Sequence, residues 1–364
     1  MDKPKIFAFY LPQFHPFLEN DEWWGKGFTE WTNVAKAKKL FPGHYQPHVP
    51  ADLGFYDLRL PQTRHEQGEL AKKYGIDAFC YYHYWFGEGK QLMETPLNEV
   101  IKLKDPDIPF FICWANHSWY KKNWNSQAQK GQDLLLIEQK YPGTKDIIAQ
   151  FNTLLPAFMD SRYYKVNGKL AYMIYKVEDL PYYEEYCSIF NRLAKENGLP
   201  GFYFMSYVQT VRLLQHPANK YMDANFLCLQ KDAFGSYTSL RIKSHLSTFF
   251  KFPFQIASYK TAARRMLSDV FREDNIHPVI LPNWDHSPRL GYNGTIYHNS
   301  TPQLWKKLLN NTIQLIRHKK NSEQMIMIKS WNEWAEGNHL EPDLKYGLGY
   351  LEAIKEVVEE IVKR

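Results

Sequence analysis

Short apolar runs alternate with amphipathic stretches along nearly the whole chain. The apolar runs indicate buried strands, because they are brief and are bounded by turn-forming residues. The predicted strands are Lys5–Leu11, Ala78–Trp85, Pro109–Asn116, Leu170–Tyr175, Gly201–Tyr207, Ala224–Leu229, Val279–Trp284 and Met325–Trp331. The predicted helices include Leu60–Tyr74, Tyr183–Asn197, Pro302–Lys319 and Tyr350–Val362. Strands that alternate with helices favour a parallel sheet, and eight of them favour a single α/β domain, a (β/α)₈ barrel over residues 1–364.

Two long segments interrupt this alternation, Leu18–Leu58 and Lys231–His277. We expect them to be βα-loop insertions that wall or cover one end of the barrel. Polar and aromatic residues gather after the predicted strands, as in the segments Tyr10–His15 and Trp114–Trp119. In a barrel the carboxyl ends of all strands meet at one mouth, which is where active sites lie. The sequence therefore predicts a polar, aromatic-lined site at that mouth.

Composition narrows the ligand that such a mouth would bind. The chain has 11 Trp, 25 Tyr and 23 Phe, so 16% of its residues are aromatic. Part of this must be core, but aromatic faces beside His, Asn and carboxylates are typical of a carbohydrate cleft. The net charge of +6 is mild, and Lys and Arg are dispersed. We therefore expect an oligosaccharide or polysaccharide partner and no nucleic acid.

The cysteines and the first residues bear on the cellular compartment. Cys80, Cys113, Cys187 and Cys228 form no Cys-x-x-Cys pair, and three lie in apolar runs, which predicts buried free thiols. The apolar stretch near the start is too short for a signal peptide. No run approaches the roughly 20 apolar residues of a membrane span. We expect a reduced, cytoplasmic protein without a transmembrane segment.

One short segment carries the strongest chemical signal. Residues 331–337 read Trp-Asn-Glu-Trp-Ala-Glu-Gly and follow the last predicted strand. Glu333 and Glu336 would share a face if a helical turn begins there. Paired carboxylates perform the proton transfers of most glycoside-cleaving enzymes. An incidental pair on a solvated loop fits poorly, because Trp331 and Trp334 make the segment apolar.

The other candidates come from the remaining strand ends. The candidate substrate-binding residues are Tyr10, Gln13, His15, Tyr82, His83, Trp85, Trp114, Asn116, His117, Trp119, Tyr207, Trp284, Asp285, Asn332 and Trp334. Sugar stacking is expected on some of the tryptophans, and Asn332 could hold a glutamate or a sugar hydroxyl. Segment 23–31 is either a lid or a structural plug. No His-x-x-x-His or Glu-x-x-His spacing supports a catalytic metal, so we expect no metal and no cofactor.

Several motifs together resemble one family. They are FYLPQFH at 9–15, WWGKGFTEW at 23–31, GIDAFCYYHYWF at 75–86, CWANHSW at 113–119, PNWDHSPR at 282–289 and WNEWAEGNHLEP at 331–342. This combination resembles the WbsX-type proteins, usually labelled glycosyltransferases, of surface-polysaccharide clusters, and the match covers nearly the whole chain. Those proteins in turn resemble the endo-α-1,2-mannosidases of glycoside hydrolase family 99. That second likeness is narrower and depends mainly on the last motif and the barrel.

The resemblance to the mannosidases implies an unusual retaining mechanism. Glu333 would remove the proton of the sugar's own 2-hydroxyl, which attacks C1 and forms a 1,2-anhydro sugar. Glu336 would protonate the leaving oxygen and then activate water. That role requires Glu336 to hold a proton at neutral pH, so we expect burial among aromatic residues to raise its pKa. The mechanism needs a 2-hydroxyl trans to the leaving group, as in an α-manno sugar. The mannosidases commonly have His where this chain has Ala335, which implies different substrate contacts.

Three classes of function stay open on the sequence. The first is a glycoside hydrolase or transglycosylase that uses the glutamate pair. The second is a sugar-nucleotide glycosyltransferase of O-antigen or capsule (lipopolysaccharide) biosynthesis in bacteria. Its usual Asp-x-Asp signature occurs only at Asp105-Pro-Asp107, before the third strand and so at the wrong end of a barrel. The third is a non-catalytic carbohydrate-binding protein, for which two glutamates among tryptophans are unexpected.

Overall fold

Eight apolar strands pair in parallel and close into a barrel. The computed structural model describes residues 3–121 and 134–363, apart from the side chains of residues 233 and 237. The barrel strands are β1 Lys5–Tyr10, β2 Ala78–Trp85, β3 Phe110–Trp114, β4 Lys169–Ile174, β5 Phe202–Val208, β6 Ala224–Cys228, β7 Ile276–Ile280 and β8 Met325–Ile328. Each pairs with its neighbours in chain order, and β1 pairs with both β2 and β8, which closes the ring. The predicted (β/α)₈ barrel is confirmed.

Helices surround the barrel. They are α1 Leu18–Trp24, α2 Glu30–Lys36, α3 Pro61–Lys73, α4 Thr95–Leu103, α5 Thr144–Phe158, α6 Tyr183–Glu196, α7 Tyr237–Phe250, α8 Tyr259–Arg265, α9 Ser287–Leu290, α10 Pro302–Ile316 and α11 Gly349–Val362. Between β5 and β6 the connection holds only two 3₁₀ turns, Val211–Gln215 and Pro217–Tyr221. None of these helices has the length and apolar character needed to cross a bilayer.

Helix α10 shows how the sequence specifies this layer. The side chain of Thr301 accepts a hydrogen bond from the amide of Leu304, and Pro302 takes the first helical position. Both are ordinary helix-start signals. Its buried residues recur at the helical period and form one apolar face, which packs on the barrel: Trp305, Leu308, Leu309, Thr312, Ile313 and Ile316.

Short strands outside the barrel shape its mouth. Three pairs are Trp119–Lys121 with Leu134–Ile137, Ile256–Ser258 with Ile296–His298, and Asn332–Glu333 with Asn338–His339. Gln91–Leu92 pairs with the end of β2, whereas Lys165–Val166 pairs with the start of β4 and lies at the other end of the barrel. The predicted seventh strand, 279–284, was placed too late. The true β7 begins at Ile276, and Trp284 already lies in the loop, where its carbonyl accepts from the amide of Tyr297.

The two predicted insertions have different positions. Segment 18–58, called the first insertion below, contributes Glu30, His44, His48 and Tyr56 to buried contacts with the loops after β7 and β8. It therefore walls the mouth as predicted. Segment 231–277 instead supplies α8, which packs against α10 in the helix layer. Its other parts meet the loop after β7, where Ile256–Ser258 pairs with Ile296–His298 and Thr248 of α7 donates to Asn293.

Candidate active site

Glu333 and Glu336 lie on a tight hairpin directly after β8. Its strands are Asn332–Glu333 and Asn338–His339, and a 3₁₀ turn, Trp334–Glu336, joins them. We call residues 332–339 the glutamate hairpin. Gly337 has φ +52°, and a Cβ there would stand 2.7 Å from the Cβ of Asp285. Only glycine fits this approach, so the hairpin is fixed against the loop after β7.

Two cations flank the glutamates. Arg289 Nη1 lies 2.5 Å from Glu336 Oε1, and Nη2 of the same guanidinium lies 3.0 Å from Glu30 Oε2. Lys329 Nζ lies 3.6 Å from Glu336 Oε2 and 4.0 Å from Glu333 Oε2. The hydroxyl of Ser330 donates to Glu333 Oε1 at 2.8 Å. The arginine is therefore paired with Glu336 and Glu30, whereas the lysine lies between the two glutamates.

These neighbours separate the pKa values of the pair. Burial raises the pKa of Glu333 to about 8, although Lys329 opposes the shift. Burial also acts on Glu336, but Arg289, Lys329 and His286 outweigh it and hold the pKa of Glu336 below its usual range. The expectation that Glu336 has a raised pKa was wrong. The reason is the Arg289 contact, which spans 47 residues of sequence. These opposite shifts favour Glu333 over Glu336 as the carboxyl that holds the pair's proton in the free protein.

Aromatic side chains build the floor and one wall around the pair. The raised pKa values of Tyr82 and Tyr207 arise mainly from burial, with a contribution from the charge of Glu333. Tyr207 stacks on Tyr175 with ring centroids 4.5 Å apart. The ring of Trp284 lies 4.9 Å below Lys329 Nζ. The structure thus brings Tyr82, Tyr207 and Trp284 together with the glutamates.

His117 and Trp119 continue this wall outward. The His117 ring lies 5.6 Å from Tyr175, and its buried Nδ1 has no hydrogen-bond partner among the described residues. Trp119 is partly exposed and meets Tyr84, with ring centroids 5.2 Å apart. Burial raises the pKa of Tyr84, and the charge of nearby Glu333 adds to that shift. Both residues have surface left for a ligand.

Four predicted residues point away from the mouth. The Tyr10 hydroxyl donates to Gln67 on α3, and the Trp85 indole donates to Asp146 on α5. Trp114 stacks on Tyr186 of α6. His83 lies between Tyr82 and Tyr84, which both face Glu333, so strand alternation turns it outward. Their predicted place at the mouth was wrong.

Three others lie near the mouth but have their polar atoms occupied. Asn116 ties the end of β3 to the backbone of Lys176 through both amide atoms. Asn332 makes the same two-way clamp with the backbone of Leu11, rather than holding a glutamate. Asp285 accepts from His44 at 2.6 Å, Gln46 at 2.8 Å and the Ser287 amide at 2.9 Å. Their positions indicate that they shape the mouth.

Trp334 is fully buried. Its ring stacks on His339 at 3.8 Å and its indole donates to Glu341 Oε2 at 2.6 Å. It has no face free for a sugar, so the stacking expected there was wrong. Gln13 is partly exposed, and its carbonyl accepts from the amide of Glu30. His15 is buried with its Nδ1 against the Pro16 carbonyl. Sugar contact by Gln13 and His15 stays a prediction.

Three charged partners were missed from sequence. Arg289 ends the quoted motif at 282–289 but was not singled out. Lys329 follows an apolar strand directly and lies four residues before Glu333, which is the signal that could have identified it. Glu30 was assigned to a lid or plug. It is instead a buried partner of Arg289, and burial raises its pKa.

The fold and this site together indicate a class of protein. A (β/α)₈ barrel with two neighbouring carboxyl groups and aromatic walls at its mouth is an arrangement found in many carbohydrate-active enzymes. The model of the family described as Glycosyltransferase WbsX matches residues 6–354. The chain belongs to this family.

Two curated relatives match, both called uncharacterized protein WxcX, from two strains of Xanthomonas campestris pv. campestris. Each is 34% identical over 355 residues, which is 97% of this chain and 49% of the relative. The chain therefore spans about half the length of the curated relatives it matches.

Solved structures share the fold at low identity. One is a glycoside hydrolase-like protein, with a TM-score of 0.60 and 14% identity, covering 98% of this chain and 94% of that chain. Another is a GH99 endo-alpha-mannosidase from Bacteroides thetaiotaomicron, with a TM-score of 0.56 and 14% identity, covering 98% and 96%. Family and fold together indicate a carbohydrate-active enzyme, and they leave hydrolysis and glycosyl transfer both open.

Proposed function

We propose that the protein cleaves or transfers α-manno-configured glycosidic bonds of a surface polysaccharide, with retention through a 1,2-anhydro sugar. The observation that carries this proposal is the glutamate pair. Two carboxyl groups stand three residues apart at the barrel mouth, where burial favours a proton on Glu333 and the neighbouring cations favour an ionised Glu336. The anhydro-sugar route needs that combination, one acid for the leaving oxygen and one base for the 2-hydroxyl.

The charges of the free protein favour one assignment of roles. Glu333 holds the proton, with a pKa near 8, which suits a general acid at neutral pH. Glu336 is ionised, and its buried Oε2 has no hydrogen-bond partner among the described residues. That oxygen can accept the proton of a sugar hydroxyl. This assignment is the reverse of the one that the resemblance implies, in which Glu333 is the base.

One experiment separates the two assignments. Glu333→Gln and Glu336→Gln are each compared on a substrate with a poor leaving group and on an α-mannosyl fluoride or nitrophenyl mannoside. An activated leaving group needs little protonation, so the variant that lacks the acid is partly rescued in its first step. We expect rescue of Glu333→Gln. Rescue of Glu336→Gln instead would restore the family's roles, and Arg289 must then release Glu336 when substrate binds.

The reaction class is tested by product analysis. Polysaccharide fragments are incubated with and without sugar nucleotides, and the products and their anomeric configuration are followed by mass spectrometry and NMR. We expect cleavage or transglycosylation without nucleotide, with retained configuration. Fast retentive cleavage of a 2-deoxy analogue would rule out the anhydro sugar. An absence of turnover on every glycan, with binding retained, would indicate a carbohydrate-binding protein.

A sugar-nucleotide glycosyltransferase is the second candidate, because the family description names that activity. The local geometry gives it little support. Asp105 pairs with His65 at 2.7 Å and Asp107 with Lys72 at 3.1 Å, so both acids lie with α3 before β3, at the end of the barrel away from the glutamates. Release of a nucleoside diphosphate during turnover would move the protein to this class.

A further inference from the structure

Three buried side chains meet behind the glutamate hairpin, apart from the glutamate pair. They are His48 of the first insertion, His339 of the hairpin and Asp343 just after it. The nearest nitrogen or oxygen atoms of the three residues all lie within 4.8 Å of one another. His48 Nδ1 stands 2.9 Å from His339 Nε2, which stands 3.8 Å from Asp343 Oδ2.

The hydrogen bonds around this cluster orient the lone pairs of His339 and Asp343 inward. His339 Nδ1 lies 3.0 Å from the carbonyl oxygen of Glu341, which can only accept, so Nδ1 carries the proton. Its Nε2 lone pair therefore faces His48 and Asp343. Asp343 Oδ1 accepts from the amides of Lys345 and Tyr346, which leaves Oδ2 on the inner side. A carbonyl that fixes a histidine's tautomer is the usual support of a metal ligand.

The spacing is close to that of a tetrahedral metal. Ligand atoms about 2.0–2.1 Å from zinc stand roughly 3.3–3.4 Å from one another. The two separations that involve His339, 2.9 Å and 3.8 Å, bracket that value, and the third lies within 4.8 Å, so side-chain shifts of up to about 1.5 Å bring the three atoms into place. In the free protein His48 Nδ1 donates to His339 Nε2. Binding then requires His48 to carry its proton on Nε2, with no change of charge.

The cluster also has an entry path. His48 and Asp343 line a cavity together with Tyr45, His298 and Lys345, and this cavity can supply water as a fourth ligand. Two groups oppose a cation here. The Tyr45 hydroxyl bonds to Asp343, and Lys345 Nζ stands 4.4 Å from the Tyr45 ring. The Tyr45 hydroxyl competes with a cation for Asp343, and the charge of Lys345 repels it, so both groups lower the affinity expected of the site.

We propose that His48, His339 and Asp343 bind a divalent transition metal, with zinc favoured by the two-histidine, one-carboxylate ligand set. The metal would join the first insertion to the glutamate hairpin. His339 pairs with Asn332, and Glu333 pairs with Asn338, so the clamp acts on the strand pair that carries the acid. Its role is to position the hairpin, and the metal takes no part in bond cleavage.

The test is metal binding by the full chain, independent of any glycan. The protein is stripped with chelator and dialysed against zinc, its metal content is measured, and cobalt is bound for absorption spectra. We expect one zinc per chain, a tetrahedral cobalt spectrum and a raised melting temperature with zinc. Asp343→Asn keeps the acceptor for the two amides, so it should fold, and we expect at least a tenfold weaker affinity.

The matched control is His298→Gln, which removes a histidine of the same cavity that lies outside the cluster. We expect this variant to bind zinc as the wild type does. A second variant, His48→Gln, covers the case in which Asp343→Asn does not fold. A wild type without stoichiometric metal, or equal binding by the wild type, Asp343→Asn and His48→Gln, would overturn the proposal. Because the readout is metal content, a failed glycan assay leaves this result unaffected.

Discussion

The segment 331–342 contains two acidic sites that differ more in their surroundings than in their burial, since Glu341 is 2% exposed and the side chain of Glu336 is 13% exposed. Glu341 accepts from three neutral donors, namely Gln67 at 2.6 Å on Oε1 and Tyr56 at 2.8 Å and Trp334 at 2.6 Å on Oε2. Glu336, five residues earlier, contacts two cations and keeps one buried oxygen without a hydrogen-bond partner among the described residues.

The difference separates a structural acid from a chemical one. A carboxyl group whose oxygens all accept hydrogen bonds from buried neutral donors has no free acceptor for a ligand. If it were removed, those donors would be left without hydrogen-bond partners. A carboxylate held ionised by cations beside a protonated partner can still exchange a proton. Burial alone does not distinguish the two sites. The charge and occupancy of the neighbours do.

The largest expected effect is on catalysis at the glutamate pair. Glu333→Gln and Glu336→Gln should each lower kcat on a poor leaving group by roughly 10²–10⁴, because each removes one positioned proton transfer. Their unfolding in urea should change less than that of a Glu341 variant, because Gln is isosteric and Arg289 keeps Glu30. Steady-state kinetics and urea titrations measure both. Full activity in either variant would remove that carboxylate from the mechanism.

The next effect is on stability at Glu341. Glu341→Ala orphans three buried donors, at about 1–3 kcal/mol each, so we expect a loss of unfolding free energy of about 3 kcal/mol or more. Glu341→Gln keeps one acceptor oxygen and should lose less. Urea unfolding measures the order of the two variants. An alanine variant as stable as the wild type would mean that the three contacts are not important for the fold.

The sequence predicted the strands and the glutamate motif better than the contacts that surround them. Strand count and the glutamate spacing follow from local pattern. The local pattern does not show which strand residues point into the barrel and which point outward. All eight residues of β2 are buried and show no alternation of polar and apolar positions. Tyr82 and His83 were therefore both assigned to the mouth, although neighbouring residues face opposite sides.

Long-range pairing was the other gap. Arg289 meets Glu336 across 47 residues and Glu30 across 259. A single sequence records that an arginine is present, but not which carboxylate it will reach. Since that arginine decides which glutamate is ionised, the protonation of the pair could not be derived from the motif alone. The same holds for Asp285, which the first insertion occupies through His44.

A smaller effect concerns pH. The native pKa of Glu333, about 8, lies above its ordinary value, so folding takes up a proton between roughly pH 5 and 8. Stability from this group is complete below its ordinary pKa and declines as pH rises through that window. Glu333→Gln has no such proton. We expect the wild type to lose about 1–3 kcal/mol more than Glu333→Gln between pH 5 and 8 in urea titrations. Equal losses would place the proton elsewhere.

The smallest expected effect concerns Tyr10, the outermost residue of the hydrogen-bond network around Glu341. Tyr10 donates to Gln67 Oε1 at 2.6 Å, and Gln67 donates to Glu341, so Tyr10 belongs to the Glu341 network although it follows the first strand as a sugar-binding residue would. Tyr10→Phe removes one buried hydrogen bond and should cost about 1 kcal/mol of unfolding free energy with KM unchanged. The contrasting variant is Trp119→Ala, which removes a partly exposed ring of the aromatic wall and should raise KM with little loss of stability. If Tyr10→Phe instead raised KM and left the unfolding free energy unchanged, the Tyr10 hydroxyl would have to contact the substrate. Tyr10 would then belong to the active site rather than to the network around Glu341.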